Sequence, residues 1–154
     1  MVHALSEVHR VLQDNGQLLD LRPRTASAPI HIVSAREHVL AGEAMQAASE
    51  HVHTEAADAA LTEAGRRGLF VQEHEARFPY FYFWDSPNEM QRYLQEEWEE
   101  IFGISEDTWR ALRAAWAIAD GDASLRMEIN LSITRWRKLG SREATVARSA
   151  LLES

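Results

Sequence analysis

The chain has no cysteine, so any chemistry must come from histidines, carboxylates, hydroxyls and aromatic rings. Disulfides, thiolate metal sites, iron–sulfur clusters and cysteine nucleophiles are excluded. Of seven histidines, His51-x-His53 is the close pair, with Glu50 and Glu55 beside it. Imidazole and carboxylate together suit a divalent metal. An i, i+2 spacing brings two rings to one face only on a strand, and this segment reads as a solvated loop, so no metal site is expected. His9 reads as an exposed residue on the rim of a helix. Glu73, Glu75 and Glu128 could pair as general acid and base, but each falls on a strand face that reads as exposed, where burial does not tune a carboxylate for proton transfer. No catalytic residue is assigned.

The most unusual composition is the run Phe78-Pro79-Tyr80-Phe81-Tyr82-Phe83-Trp84. It has two readings. Phe78, Tyr80, Tyr82 and Trp84 could wall a substrate pocket. Alternatively, and preferred, the run is a strand buried on both faces between helices at 87–102 and 106–119, whose Trp98, Trp109 and Trp116 need partners. Gln95-Glu96-Glu97-Trp98-Glu99-Glu100 reads as the solvated face of the first of those helices.

The elements that would position these residues follow from periodicity. Ala4, Leu5, Val8 and Leu12 recur at helical spacing, and Asp14-Asn15-Gly16 stops that helix. Leu18, Leu19 and Leu21 read as a short strand, 17–21, buried on both faces. Residues 25–29 read as a loop, and 30–33 with 38–40 as a small hairpin. Residues 41–54 are ambiguous; Thr54 could cap a helix over 55–67 that ends at Gly68. A long strand follows over 70–84, with Pro79 implying a bulge or an edge. Ser86-Pro87-Asn88-Glu89 is a capping box with proline at the first helical position. Ser105 starts the next helix, Asp120-Gly121-Asp122 is a turn, and Leu125, Met127, Ile129, Leu131 and Ile133 alternate with polar residues along a strand with one buried face. Residues 141–154 read as a terminal helix or tail after a single domain over 1–140.

The chain has 154 residues, with 16 basic against 24 acidic side chains, a net charge of −8. Nucleic-acid and anionic-membrane partners are therefore not expected, because both reward a basic excess. No apolar run approaches the roughly 18 residues of a membrane span. The first twelve residues carry charge and lack a long apolar core, so no signal peptide is expected and the expected location is cytoplasmic.

The segment Leu5-x-Glu7-Val8-His9-Arg10-Val11-Leu12-x-x-x-Gly16-x-Leu18-Leu19-x-Leu21 resembles the entry to the fifth strand of class I S-adenosylmethionine-dependent methyltransferases. In that family a helix carrying Glu-(Ile/Val)-x-Arg-Val-Leu leads through Lys-Pro-Gly-Gly into the strand. Here Gln13-Asp14-Asn15-Gly16 replaces the turn, with Asn15 standing where the backbone needs positive φ. The order of strand 17–21, helix 55–67, strand 70–84, two helices and strand 125–139 is similar to the C-terminal half of the family fold, in which an antiparallel seventh strand inserts between the fifth and sixth. Ile133-Thr134-Arg135-Trp136-Arg137-Lys138 resembles the end of that seventh strand in some small-molecule methyltransferases. The fold expected is α/β, a small mixed, largely antiparallel sheet with helices, resembling the C-terminal half of a Rossmann-like methyltransferase fold.

The resemblance also implies what is missing. The family binds S-adenosylmethionine through a glycine-rich loop after its first strand and an acidic residue ending its second, and neither strand has a counterpart here. The glycines are scattered at 16, 42, 65, 68, 103, 121 and 140, with no Gly-x-Gly. No cofactor ligand is assigned, and the chain alone is not expected to bind the cofactor or to be catalytic. The region between the sixth and seventh strands often shapes the acceptor site in that family, which gives the aromatic wall its functional reading. The expected function is that of a truncated or split methyltransferase; the alternative is a free-standing dimeric interaction domain or small-molecule-binding domain. Without a fourth strand, 17–21 would be an open edge and Leu5, Val8 and Leu12 would lose cover. The expected partner is a second copy joined through 1–22, or a chain supplying the N-terminal half. A hairpin at 30–40 folding back over the edge is the other way to cover it.

Overall fold

The computed structural model describes residues 2–140; the terminal helix or tail expected over 141–154 lies outside them. In chain order the elements are α1 (Val2–Val11), β1 (Gln17–Pro23), β2 (Ser27–Val33), β3 (His38–Gln46), α2 (Ala48–Arg66), β4 (Phe70–Trp84), α3 (Pro87–Glu97), β5 (Phe102–Gly103), α4 (Glu106–Trp116) and β6 (Ser124–Lys138). The six strands form one sheet ordered β1-β6-β2-β3-β5, with β4 also paired to β6. The α/β class and the predominantly antiparallel sheet agree with the sequence. Lys138 N–H donates to Gly16 O and Leu139 N–H to Leu69 O. Consecutive amides of an extended strand point to opposite sides, so the end of β6 runs between the start of β1 and the start of β4. Among the described residues no helix is long and apolar enough to cross a membrane.

The contacts divide the chain into two compact units. The first takes the described parts of Met1–Arg22, Val52–Arg77 and Ser132–Ser154. Its turn after α1 has Asn15 at φ 62°, the left-handed conformation anticipated for that position. Gly68 closes α2 at φ 69°. Ala60, Leu61 and Ala64 of α2, Phe70 of β4 and Ser132 and Thr134 of β6 are buried. β1 is not buried on both faces, as the run of leucines implied. Leu18, Asp20 and Arg22 are half-buried, while Leu19 and Leu21 are 59% and 56% exposed. The inward side tolerates charge because Arg22 Nη2 donates to Asp20 Oδ2 at 2.6 Å and to Asp58 Oδ1 at 2.8 Å, and its Nη1 donates to Thr54 O.

The second unit comprises Pro23–His51 and Phe78–Leu131. Here β2 and β3 form a longer hairpin than expected, from Ser27↔Met45 to Val33↔His38, and Ser27 to Pro29 are strand rather than loop. β2 also pairs with β6, Ile30 opposite Met127 and Ile32 opposite Leu125. Those four side chains are buried with Met90, Leu94, Trp109 and Leu112 from α3 and α4. The ambiguous stretch resolves into the end of β3 and the start of α2, so Thr54 is interior to a helix and not its cap. α3 stops at Glu97 instead of running to 102. Trp98 leaves helical geometry at φ −133°, and Phe102 and Gly103 pair with Gln46 and Met45 of β3. Cross-strand pairing there overrides the helical spacing of Trp98 and Ile101. The single buried face expected along β6 also fails: Leu125, Met127 and Ile129 are buried, then Ser132 and Thr134. The parity changes between Ile129 and Ser132.

Candidate functional site

β4 takes the four candidate pocket residues to different surroundings. Trp84 is buried and Tyr82 half-buried, their rings stacked 6.0 Å apart at 14°. Trp98 stands edge-on to Tyr82 at 4.5 Å, and Tyr93 lies 5.4 Å from Trp98. Burial, then the neighbouring Tyr93 and Tyr80, push the Tyr82 hydroxyl up from its ordinary value, so it stays protonated at neutral pH. Phe78 and Tyr80 are exposed. The structure therefore gathers Tyr82 and Trp84 with the aromatic residues at the end of α3, keeps the exposed Tyr80 edge-on to Tyr82 at 5.1 Å, and leaves Phe78 outside that cluster. Burial of the strand on both faces is overturned: Phe81 and Phe83 are also exposed, Phe83 at 59%. β4 pairs only with β6 among the described strands, the edge position that Pro79 implied.

On the exposed side of the hairpin, His31 lies opposite Arg126 across the β2–β6 pair and opposite Leu40 across β2–β3. The His31 and His38 rings are 4.4 Å apart. Arg126 Nη2 is 2.6 Å from His38 Nε2, and the guanidinium lies 4.8 Å from the centre of the Phe81 ring. Arginine has no acceptor atom, so His38 Nε2 is the acceptor in this pairing. Burial holds the His31 imidazole below its ordinary value, His38 and Arg126 push the same way, and Glu128 opposes them. Sequence reasoning missed this cluster; its members are scattered through the chain, and only the strand register joins them.

A pocket of about 250 Å³ opens between the end of α3 and the start of α4. Leu94, Phe102, Ile104 and Trp109 supply apolar lining, and Gln91, Gln95, Glu99 and Glu106 supply polar groups. Ser105 caps α4 by accepting from Thr108 N–H, which fixes where Glu106 emerges. Arg113 donates to Gln91 Oε1 at 2.6 Å and lies 5.7 Å from the centre of the Trp109 ring. None of the four aromatic candidates lines the pocket. A continuous helix over 87–102 would not have made it, since the pocket depends on the chain turning at Trp98.

The remaining candidates lie apart. His51 and His53 are on α2, not on a loop, where an i, i+2 spacing turns side chains to opposite sides. Among the described residues no group of three or more histidines, aspartates and glutamates could hold a metal. His9 is half-buried, edge-on to the Phe70 ring at 5.5 Å, and not exposed. Glu73 is paired with Arg135 and Arg137, and Glu75 with Arg77. S-adenosylmethionine does not fit the pocket, which is smaller than the roughly 300–1,000 Å³ typical of sites for molecules of that size, and the glycine in its lining is the single Gly103 of β5. No family model matches the chain, and neither a curated protein nor a solved structure does.

Proposed function

We propose that this chain is the C-terminal half of a methyltransferase-type fold and needs a separate cofactor-binding half to act. The observation that carries the reading is the position of β6, antiparallel between β1 and β4, in a chain whose β1 is entered through Glu7-Val8-His9-Arg10-Val11-Leu12 and Gly16. The family inserts its seventh strand in the same way between its fifth and sixth. On this reading the unpaired side of β1 receives the partner's strand, and no catalytic step belongs to this chain by itself. Titration calorimetry with S-adenosylmethionine at millimolar concentration is expected to give no saturable heat with the chain alone. The nucleotide sequence beside the Met1 codon is expected to encode a Gly-x-Gly-x-Gly half, in frame or in an adjoining frame. Saturable 1:1 binding by the chain alone, or a neighbourhood without such a half, overturns the proposal. A free-standing small-molecule-binding domain is the second reading, favoured by the pocket between α3 and α4.

A further inference from the structure

We infer that the pocket between α3 and α4 binds an alkylammonium group the size of a lysine side chain. The inference does not depend on the methyltransferase reading. A pocket of about 250 Å³ has room for roughly eight groups the size of water, at ~30 Å³ each, so four carbons and a nitrogen fit. Leu94, Phe102 and Trp109 are buried and apolar, suited to a methylene stem. Around them stand two carboxylates, Glu99 and Glu106. Neither has an ion-pair partner among the described residues. Both are exposed, so an ammonium at the rim would meet them as solvent-exposed ion pairs, and an anion would be repelled.

The end of α3 favours a cation as well. α3 has no basic residue in its last turn, and Glu96, Glu97, Glu99 and Glu100 cluster at that end. The C-terminal end of a helix carries partial negative charge, which carboxylates there oppose and a cation relieves. The Trp109 ring adds an electron-rich face. Arg113 already lies over that ring, tethered to Gln91, so a ligand ammonium is expected beside Glu99 and Glu106 and away from that guanidinium.

The test uses the purified chain, n-butylammonium as probe and n-butanol as its neutral counterpart, followed by amide chemical shifts at neutral pH. Saturable shifts confined to residues 91–109 are expected for the amine, with butanol clearly weaker. Glu99→Gln and Glu106→Gln, both at exposed positions, should each weaken amine binding by about threefold, the scale of a solvent-exposed ion pair. N-acetyl-lysine methylamide distinguishes the sources: tighter binding than butylammonium points to a protein lysine, equal or weaker binding to a free amine. Equal affinity for butanol, shifts outside the pocket, or unchanged affinity in both folded variants overturns the inference. The absence of S-adenosylmethionine binding would leave it untouched.

Discussion

His31 shows how much a single residue's role depends on partners far away in sequence. An isoleucine-flanked histidine in a short hairpin strand is an unremarkable sequence feature; opposite Arg126 and beside His38 it becomes a group that resists protonation. Its folded pKa lies below the ordinary 6.5. Above that ordinary value both folded and unfolded chains are neutral at His31, and the site does not affect stability. As pH falls through it, the unfolded chain takes the proton first, and stability is lost until the lower folded value is passed. Urea midpoints measured at pH 7.5 and pH 5 should therefore fall for the native chain and fall less for His31→Asn. Equal losses in both would remove His31 as the cause. Asn15 is the opposite case. Its tolerance of positive φ is a local property, legible from the turn sequence alone, and the backbone there stands at 62°.

At the scale of elements, what was legible is what is local. One half of the capping box before α3 forms as expected, with Glu89 N–H donating to Ser86 Oγ at 3.2 Å; the other half is displaced, the Glu89 carboxylate accepting from Asp85 N–H, one residue before the cap. Ser86→Ala should lower stability by about 1 kcal/mol, and an unchanged denaturation midpoint would show that the cap contributes nothing. The end of the same helix was not legible, because Phe102 and Gly103 answer to β3 rather than to their own neighbours. Nor was the role of Gly42. A Cβ built there would lie 2.5 Å from Thr108 Cγ2, a stiff β-branched side chain. Gly42→Ala should cost about 1–3 kcal/mol as overpacking between β3 and α4. Thr108→Ser removes that methyl and keeps the hydroxyl paired with Ser105, so the double variant should recover most of the loss. A double variant no more stable than Gly42→Ala would place the strain in the backbone.

At the scale of the whole molecule the open question is what β1 meets. Its position at one end of the sheet path leaves one side unpaired among the described residues. Gly16 O and Arg24 N–H both turn toward β6, so strand alternation turns the backbone groups of Gln17, Leu19 and Leu21 outward. Pro23 shares that parity but has no N–H to offer, which confines pairing to those three positions. An open edge of this kind is a template for another strand. When no complementary half is supplied, the partner at hand is a second copy. Two β1 strands meeting antiparallel about a two-fold axis at Leu19 would set Gln17 opposite Leu21 and exchange about six backbone bonds. That register sets Asp20 opposite Leu18 and avoids facing Asp20 with its own copy. Self-association of the isolated chain is therefore expected at micromolar concentration. It should strengthen with salt, because each copy carries a net charge of −8 and screening weakens their repulsion. Leu19 is the residue to change: it is 59% exposed, so Leu19→Lys should leave the fold intact while setting two ammonium groups against each other at the axis. Sedimentation of the native chain should show a dimer and that of Leu19→Lys a monomer; a native chain that sediments at 17.5 kDa at every concentration and salt level would mean that β1 is covered from within the chain.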